Sequence, residues 1–551
     1  FLEQQYATTD GMRLLERLTP ENLNISHASG RLWEQYIRPQ LNALLQPIHT
    51  ATPLQRAYYL RFMAFIETEH LLAKVGNKTK EGSGFAAVWN DSVEEKRQAG
   101  NIYDNLSLAP IASEGKEVGT VTLLFARQMQ TDMSNFRTGD IVILYPYPIH
   151  SEPDARQTMV FRATITDIQT NCIRLALRHP QTDKRAFLRP QTDRWTVEHD
   201  FFESSFGALY RGLHTFLSAS QARKDLILAQ RAPQQDTHLA LQGDYGAFNE
   251  LVLRAKQARD FFLIIGPPGT GKTSFGLLNV LKEELLSPSS AVLLTAYTNR
   301  AVDEICSKLC EAGIDFLRIG SSLNCEERYR GHLLEERVQQ CDTVSDVKEL
   351  IARTRVVCAT TSALNANIAL LTMKRFDLAV IDEASQILEP HIIGLLCAQC
   401  GGKESIGRFV MIGDHKQLPA VVQQTTEESR TDEPELHAIH LTDCRLSLFE
   451  RLLKTYRNNA SVVYMLTRQG RMHRDIARFP SQAFYGNALQ TVPLPHQERV
   501  LAPVLQGAKG IEALLLTRRI ADLRGTAGQG FPGLGLEEYF TVARGEGERA
   551  A

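Results

Sequence analysis

The chain has 551 residues, of which 43% are hydrophobic, 23% charged and 8% aromatic; these are ordinary globular values and exclude a collagen-like, low-complexity or intrinsically disordered protein. At roughly 150 residues per domain the length predicts three or four structural units. Lys and Arg total 61 against 63 Asp and Glu, a formal net charge of -2, so any binding to a phosphate backbone must come from a local patch.

Residues 1–114 are predicted to form a helical N-terminal region, because Leu32-Trp33, Tyr36-Ile37, Leu41 and Leu44-Leu45, and then Tyr58-Tyr59, Phe62, Ile66 and Leu71, recur at three-to-four spacing. Over 115–200 the pattern changes to short runs rich in Val, Ile, Thr and Phe (Gly119–Ala126, Asp140–Tyr145, Met159–Ile168, Cys172–Leu177) separated by Gly, Asp, Asn and Pro. That predicts a small β-barrel, equally suited to scaffolding or to gripping nucleic acid. A helical linker is expected over 201–244. From 245 to 460 apolar strands (Phe261–Ile265, Ala291–Ala296, Arg355–Thr360, Phe376–Ile381, Phe409–Ile412) alternate with amphipathic helices, the pattern of a parallel sheet covered on both faces. A second α/β unit is expected over 461–523, and the Gly-rich stretch 524–551 reads as a disordered or non-native tail.

Nine cysteines scattered between Cys172 and Cys444 do not make a secreted disulfide framework and predict a reducing, cytoplasmic setting. The pairs Cys306/Cys310 and Cys397/Cys400 have a spacing that zinc or iron–sulfur clusters use, but no flanking His completes either set, so they read as buried structural thiols. No apolar run approaches the ~20 residues that cross a bilayer, so no membrane partner is expected. The first residue is Phe1 with no signal-peptide pattern after it, and the chain reads as beginning inside a longer protein.

The chemistry is concentrated in the α/β region. Gly266-Pro267-Pro268-Gly269-Thr270-Gly271-Lys272-Thr273-Ser274 follows an apolar strand and precedes a helical pattern, the context of a phosphate-binding loop. Its glycines let backbone N–H groups curl round a β-phosphate at a helix N-terminus. Lys272 is expected to reach the β- and γ-phosphates, and Thr273 to offer its hydroxyl to Mg²⁺. Asp382-Glu383 closes the strand Phe376–Ile381 and so belongs at the ligand crevice beside the loop. Asp382 is expected to hold the Mg²⁺ and Glu383 to polarise the attacking water.

These residues resemble the superfamily 1 helicases, and within them the branch of RNA-decay helicases and replication helicase-nucleases. Asp382-Glu383-Ala384-Ser385-Gln386 resembles motif II of that branch and Gly413-Asp414-His415-Lys416-Gln417-Leu418-Pro419 its motif III. Gln469-Gly470-Arg471-Met472-His473 is similar to the motif that carries a phosphate-contacting arginine. Tyr297-Thr298-Asn299-Arg300-Ala301-Val302-Asp303 is similar to motif Ia and Thr360-Thr361-Ser362 to motif Ic. The resemblance implies an α/β fold: a RecA-like P-loop motor domain with a parallel sheet, a helical N-terminal region, an accessory β-barrel and a partial second RecA-like domain. It implies an ATP-dependent helicase or translocase that burns Mg-ATP and moves 5′ to 3′ along single-stranded DNA or RNA, with the barrel gripping the strand. Gln417 is expected to report the γ-phosphate, Arg471 to act as an arginine finger, and Tyr297, Thr298, Asn299, Thr360 and Thr361 to touch the strand. The rival reading is a nucleotide-binding clamp or switch that does not unwind.

Two features depart from the family. No Gln stands where an adenine-reading Gln is expected ahead of the loop, in Ala247-Phe248-Asn249-Glu250-Leu251-Val252, and Gln242 and Gln257 are the nearby substitutes. The Gln-Gly-Glu segment and the final arginine motif of a second motor domain are not recognisable; Leu516-Thr517-Arg518-Arg519 resembles the latter but lies too near Arg471. The second lobe is therefore expected to be incomplete, and the chain to bind nucleotide yet hydrolyse it poorly and fail to unwind.

Overall fold

The computed structural model describes residues 4–75, 91–110, 117–126, 134–187, 193–200 and 204–497; the tail 524–551, Leu516–Arg519 and the end of the expected second lobe lie outside these. Contacts divide the chain into two compact units, 1–265 with 273–464, and 266–272 with 465–551.

In the first unit the N-terminal region is helical where the periodicity predicts it, over Gln4–Arg17, Arg38–Thr50 and Pro53–Val75. Tyr58, Phe62, Phe65 and Ile66 are buried on one stripe, spaced as residues that share a helix face must be. The Tyr58 ring packs 5.0 Å from that of Phe216, on the helix Ser204–Ser218.

Six strands then close into a barrel: β1 Ile102–Leu108, β2 Val118–Leu124, β3 Ile141–Pro148, β4 Phe161–Ile168, β5 Cys172–Gln181 and β6 Asp193–His199, in the order β1-β2-β5-β4-β3-β6. Leu123, Leu144, Ile165, Leu175 and Val197 fill its interior. Strand β1 falls inside the stretch read as helical, so the barrel starts before residue 115. Burial alternates along it, with Ile102, Asp104 and Leu106 buried, but the apolar pattern that would have revealed it is interrupted by Asp104, which pairs with Arg97 at 2.5 Å. The strand bulges at Asn105, which has φ +54° and lies at a register shift against β6. The Asn105 N–H donates to the Tyr147 hydroxyl at 3.0 Å. Strand β6 is hidden by its charges: Glu198 is buried, accepts a hydrogen bond from Tyr145, and pairs with the buried Lys96 at 3.0 Å.

The sheet that follows contains β7 Phe261–Ile265, β8 Val292–Ala296, β9 Leu317–Ile319, β10 Val356–Thr360 and β11 Phe376–Ile381. After a two-residue hairpin, β12 Gln399–Cys400 with β13 Lys403–Glu404, come β14 Ile406–Gly413 and β15 Val463–Met465. The order is β15-β7-β14-β11-β8-β10-β9. The pairs β14/β7, β11/β14, β11/β8, β10/β8 and β10/β9 are all parallel. Continuous Val, Ile, Leu and Phe runs with no polar alternation suit a sheet buried on both faces. Strand β15 was expected to open a second unit; instead the Leu263 N–H donates to the Val462 carbonyl at 2.8 Å, and the segment joins the first sheet beside β7. Two helices cross almost without side chains: a Cβ on Gly394, in the helix Glu389–Leu396, would lie 2.5 Å from the Gly212 Cα.

In the second unit, Gly266–Lys272 groups with the segment from Met465 onward. Here β16 Arg468–Gln469 pairs parallel with β17 Gln490–Thr491, joined through the helix Arg474–Phe484. Arg468, Arg471, Arg474 and Arg478 are all exposed. Among the described residues no helix is long and apolar enough to cross a membrane.

Candidate nucleotide site

The parallel sheet sends five of the predicted segments off the C-terminal ends of its strands. Gly266 follows β7, Tyr297 β8, Thr361 β10, Asp382 β11 and Asp414 β14, and this is the end at which open α/β sheets bind ligands.

The loop Gly266–Gly271 bends as its glycines allow. Gly269 and Gly271 have φ of +77° and +76°, a region costly for residues with a Cβ. A Cβ on Gly266 would come 2.2 Å from Cγ of Lys272, so only glycine lets the lysine stem fold back. Thr270 donates its hydroxyl to the Pro267 carbonyl at 2.7 Å and closes the turn. Within the same compact unit the Gly470 N–H donates to the Gly269 carbonyl at 2.9 Å, and a Cβ on Gly269 would stand 2.4 Å from that of Arg471. The turn that carries Arg471 is built by Gln469, a fully buried side chain that accepts from the Arg471 and Met472 N–H groups at 3.1 and 2.8 Å. Gln497 supports it by donating to the Gln469 carbonyl at 2.9 Å.

Beyond the loop, Thr273 donates its hydroxyl to a carboxylate oxygen of Asp382 at 2.6 Å, and both residues are buried. A buried carboxylate beside a hydroxyl is a hard-oxygen pair of the sort Mg²⁺ uses when phosphates and waters complete its shell. The other Asp382 oxygen accepts the Glu383 N–H at 2.9 Å. Glu383 itself has φ +50°, a left-handed conformation that is uncommon for a residue with a Cβ and that clusters at working sites.

Motif II and the strand end of β14 are joined by Ser385, whose hydroxyl oxygen accepts the Asp414 N–H at 3.1 Å. A Cβ on Gly413 would lie 2.8 Å from the Ser385 nitrogen, so glycine is what allows this approach. Asp414 is buried and organises the next turn, accepting from the Lys416 N–H at 3.0 Å and from the Gln417 amide at 2.7 Å. Gln417 is exposed. Ser385 and Gln469 were not singled out by sequence reasoning, although both stand inside motifs that were.

Of the residues expected to meet a strand, Thr298 and Asn299 are exposed, with the Thr298 hydroxyl oxygen accepting the Ala301 N–H at 3.2 Å as a helix N-cap. Tyr297 is half-buried, its ring edge-on to His391 at 6.3 Å. Burial holds the His391 imidazole down at about 4. Thr360 and Thr361 are buried: the first spends its hydroxyl capping the helix Thr361–Ala366, accepting from Ala363 at 3.1 Å. The Thr361 hydroxyl oxygen has no hydrogen-bond partner among the described residues.

The cysteines are all free thiols. Burial pushes Cys397 up to about 12, and Cys306 lies 3.6 Å from the Arg318 guanidinium. Among the described residues no group of three or more His, Cys, Asp or Glu is placed to hold a metal ion.

Two families, each described as an AAA domain, match the chain, one over residues 248–345 and 339–425 and the other over 444–513. A "DNA replication ATP-dependent helicase/nuclease JHS1" of Arabidopsis thaliana is 32% identical over 372 residues, covering 64% of this chain and 25% of the relative. The protein titled "DNA replication ATP-dependent helicase/nuclease DNA2" from Xenopus laevis is 25% identical over 498 residues, covering 85% and 43%. Its Gallus gallus counterpart is 29% identical over 321 residues, covering 55% and 30%. The chain thus spans between a quarter and under half of the length of these relatives. Among solved structures, an arterivirus nonstructural protein 10 helicase matches at 13% identity and a TM-score of 0.29, covering 69% of this chain and 59% of that one.

Proposed function

We propose, from these motifs and matches, that the chain is a superfamily 1 helicase, an ATP-dependent motor that hydrolyses Mg-ATP to move along single-stranded nucleic acid. The direction implied by the branch it resembles is 5′ to 3′, and the relatives' own titles favour DNA as the track. The observation that carries the reading is the Thr273–Asp382 pair at 2.6 Å with Glu383 next in the chain: the last residue of a phosphate-binding motif is hydrogen-bonded to the strand-end carboxylate that should hold its cation.

The roles follow from the chemistry. Backbone N–H groups of Gly266–Gly271 and the side chain of Lys272 bind the phosphates. Thr273 and Asp382 would hold Mg²⁺, which when bound neutralises charge on the β- and γ-phosphoryl oxygens. Glu383 orients the attacking water and takes its proton. Gln417 would pass the state of motif II to motif III, a role that its tether to the Asp414 that Ser385 also holds supports. Arg471 neutralises the charge that develops on the transferring phosphoryl group. Thr298 and Asn299 give sequence-independent contacts to a strand, and the barrel adds grip.

Two assays on the same preparation test this: ATP hydrolysis with and without single-stranded DNA or RNA, and displacement of a strand from a tailed duplex. Strand-stimulated hydrolysis with displacement is expected of a longer product with a complete second lobe, whereas the 551-residue chain is expected to bind nucleotide, hydrolyse it slowly and leave the duplex intact. Stimulated hydrolysis without displacement by that longer product makes the protein a clamp or switch, and hydrolysis insensitive to any strand rejects the motor.

A further inference from the structure

Resting on the nucleotide reading above, we infer that Phe275 and Phe248 form an aromatic shelf that receives the nucleobase of the bound nucleoside triphosphate without discriminating its identity. Phe275 lies two residues past Thr273, in the π-helical turn Lys272–Leu277 that continues the phosphate loop. It leaves 54% of its surface exposed, although neighbouring Thr273, Gly276 and Leu277 are buried. Phe248 ends the short turn before the helix Asn249–Gln257. The two rings are nearly parallel, with centroids 5.4 Å apart and planes 17° apart, the offset stack that aromatic pairs prefer. A solvent-facing π surface just beyond the residues that bind phosphates is positioned for the other end of a nucleotide. Every base has a π-face, so stacking of this sort tolerates all of them.

Reading adenine needs a carboxamide or similar group with its donors and acceptors available; the side chains of Gln257 and Asn249 are committed elsewhere, and Gln242 is anchored by its backbone away from the shelf. The Gln257 amide donates to the carbonyls of Thr237 and Leu239 at 3.3 and 2.9 Å. The Asn249 side chain accepts the Tyr245 N–H at 2.7 Å and donates to Asp244 at 2.9 Å. Gln242 is anchored by its backbone N–H to the Glu283 carboxylate at 2.9 Å, a group that also accepts from Gly243, Tyr245 and Lys256 at 3.1, 2.8 and 2.6 Å. Glu283 lies eight residues past Phe275 in the sequence, about two helical turns or ~12 Å from the shelf. The expected adenine-reading position is thus replaced by a stack that binds a base by its face.

The test is calorimetric titration of the full chain, in Mg²⁺, with ADP, GDP, CDP, UDP and inorganic pyrophosphate. The four diphosphates should bind within about tenfold of one another. Phe275→Ala should weaken all four by on the order of tenfold while pyrophosphate binding is unchanged, and Phe275→Trp should restore them. Because Phe275 is largely solvent-exposed, circular dichroism of the alanine variant should match the parent. A hundredfold preference for ADP, or nucleotide binding unaffected by Phe275→Ala, would overturn the shelf. Failure of the parent to bind pyrophosphate and every diphosphate would remove the nucleotide reading itself.

Discussion

Glu383 combines a left-handed backbone, φ +50°, with the proposed task of activating the attacking water, and the two properties can be separated by substitution. Glu383→Gln keeps the backbone and the Asp382 contact, so nucleotide binding should persist while turnover falls by ~10²–10⁴, the usual worth of a general base; equilibrium binding alongside steady-state hydrolysis measures both. Glu383→Gly should lose the same activity yet melt no lower than the parent, because glycine occupies positive φ without strain. Arg471→Ala should lower hydrolysis by ~10³ or more at unchanged nucleotide affinity, and equal loss of both would demote the residue to a binding contact. His391 gives a pH signature. Its folded value near 4 lies below the unfolded ~6.5, so the unfolded chain binds the proton first on acidification. Its contribution to stability is fully present above pH ~6.5 and is lost as pH falls from there towards 4, on the order of 3 kcal/mol. Urea midpoints of the parent and of His391→Gln across that window should converge at the acidic end.

Elements are held in place by contacts as local as these. The helix Glu389–Leu396 after motif II meets the helix Ser204–Ser218 at Gly394 and Gly212, where an added Cβ would sit 2.5 Å from backbone. Backbone cannot move aside as a flexible side chain can, so Gly394→Ala should destabilise by ~1–3 kcal/mol, although alanine is the better helix former. A denaturation midpoint equal to or above that of the parent would show that the helices separate without cost. On the helix Arg474–Phe484, Ile476, Phe479 and Phe484 are exposed at 60%, 59% and 50%. This apolar face lacks cover among the described residues.

Across the first unit, the N-terminal helices are tied to the helix Glu389–Leu396 beside the seven-stranded sheet by a buried ionic cluster. Tyr58 donates its hydroxyl to Glu389 at 2.6 Å, and Arg451 binds the same carboxylate and the Ile227 carbonyl at 2.9 and 3.0 Å. All three side chains are fully buried. Burial works against the Arg451 charge, and the Glu389 carboxylate more than offsets it. Removing one partner strands a charge, so Arg451→Met should cost ~3–5 kcal/mol, whereas Glu389→Leu combined with Arg451→Met should recover most of that; chemical denaturation of the single and double variants reads the difference. The loop after motif III is fastened to the same helix Pro53–Val75, its Gln423 and Gln424 N–H groups donating to Glu69 at 3.1 and 2.8 Å. If the barrel grips the strand as proposed, deleting 102–199 should weaken single-strand affinity and its steep salt dependence without changing nucleotide affinity, and unchanged strand titrations would leave the barrel a scaffold.

What the sequence by itself determined was everything carried by contiguous residues. The loop Gly266–Thr273, the Asp382-Glu383 pair and five of the sheet strands were legible because a phosphate loop and a doubly buried strand are local patterns. The barrel was legible only in part: β1 is disguised by the buried Asp104, whose partner Arg97 lies outside the strand, and β6 by a buried glutamate whose partners, Tyr145 and Lys96, come from other elements. Only the tertiary structure could decide what depends on residues far apart in the chain. Strand β15 joins the first sheet through a backbone bond to β7, Thr361 turns inward and Thr298 outward, and Phe248 meets Phe275. The physical reason is that a side chain's exposure and partners are set by packing between elements, and no spacing along one element encodes them.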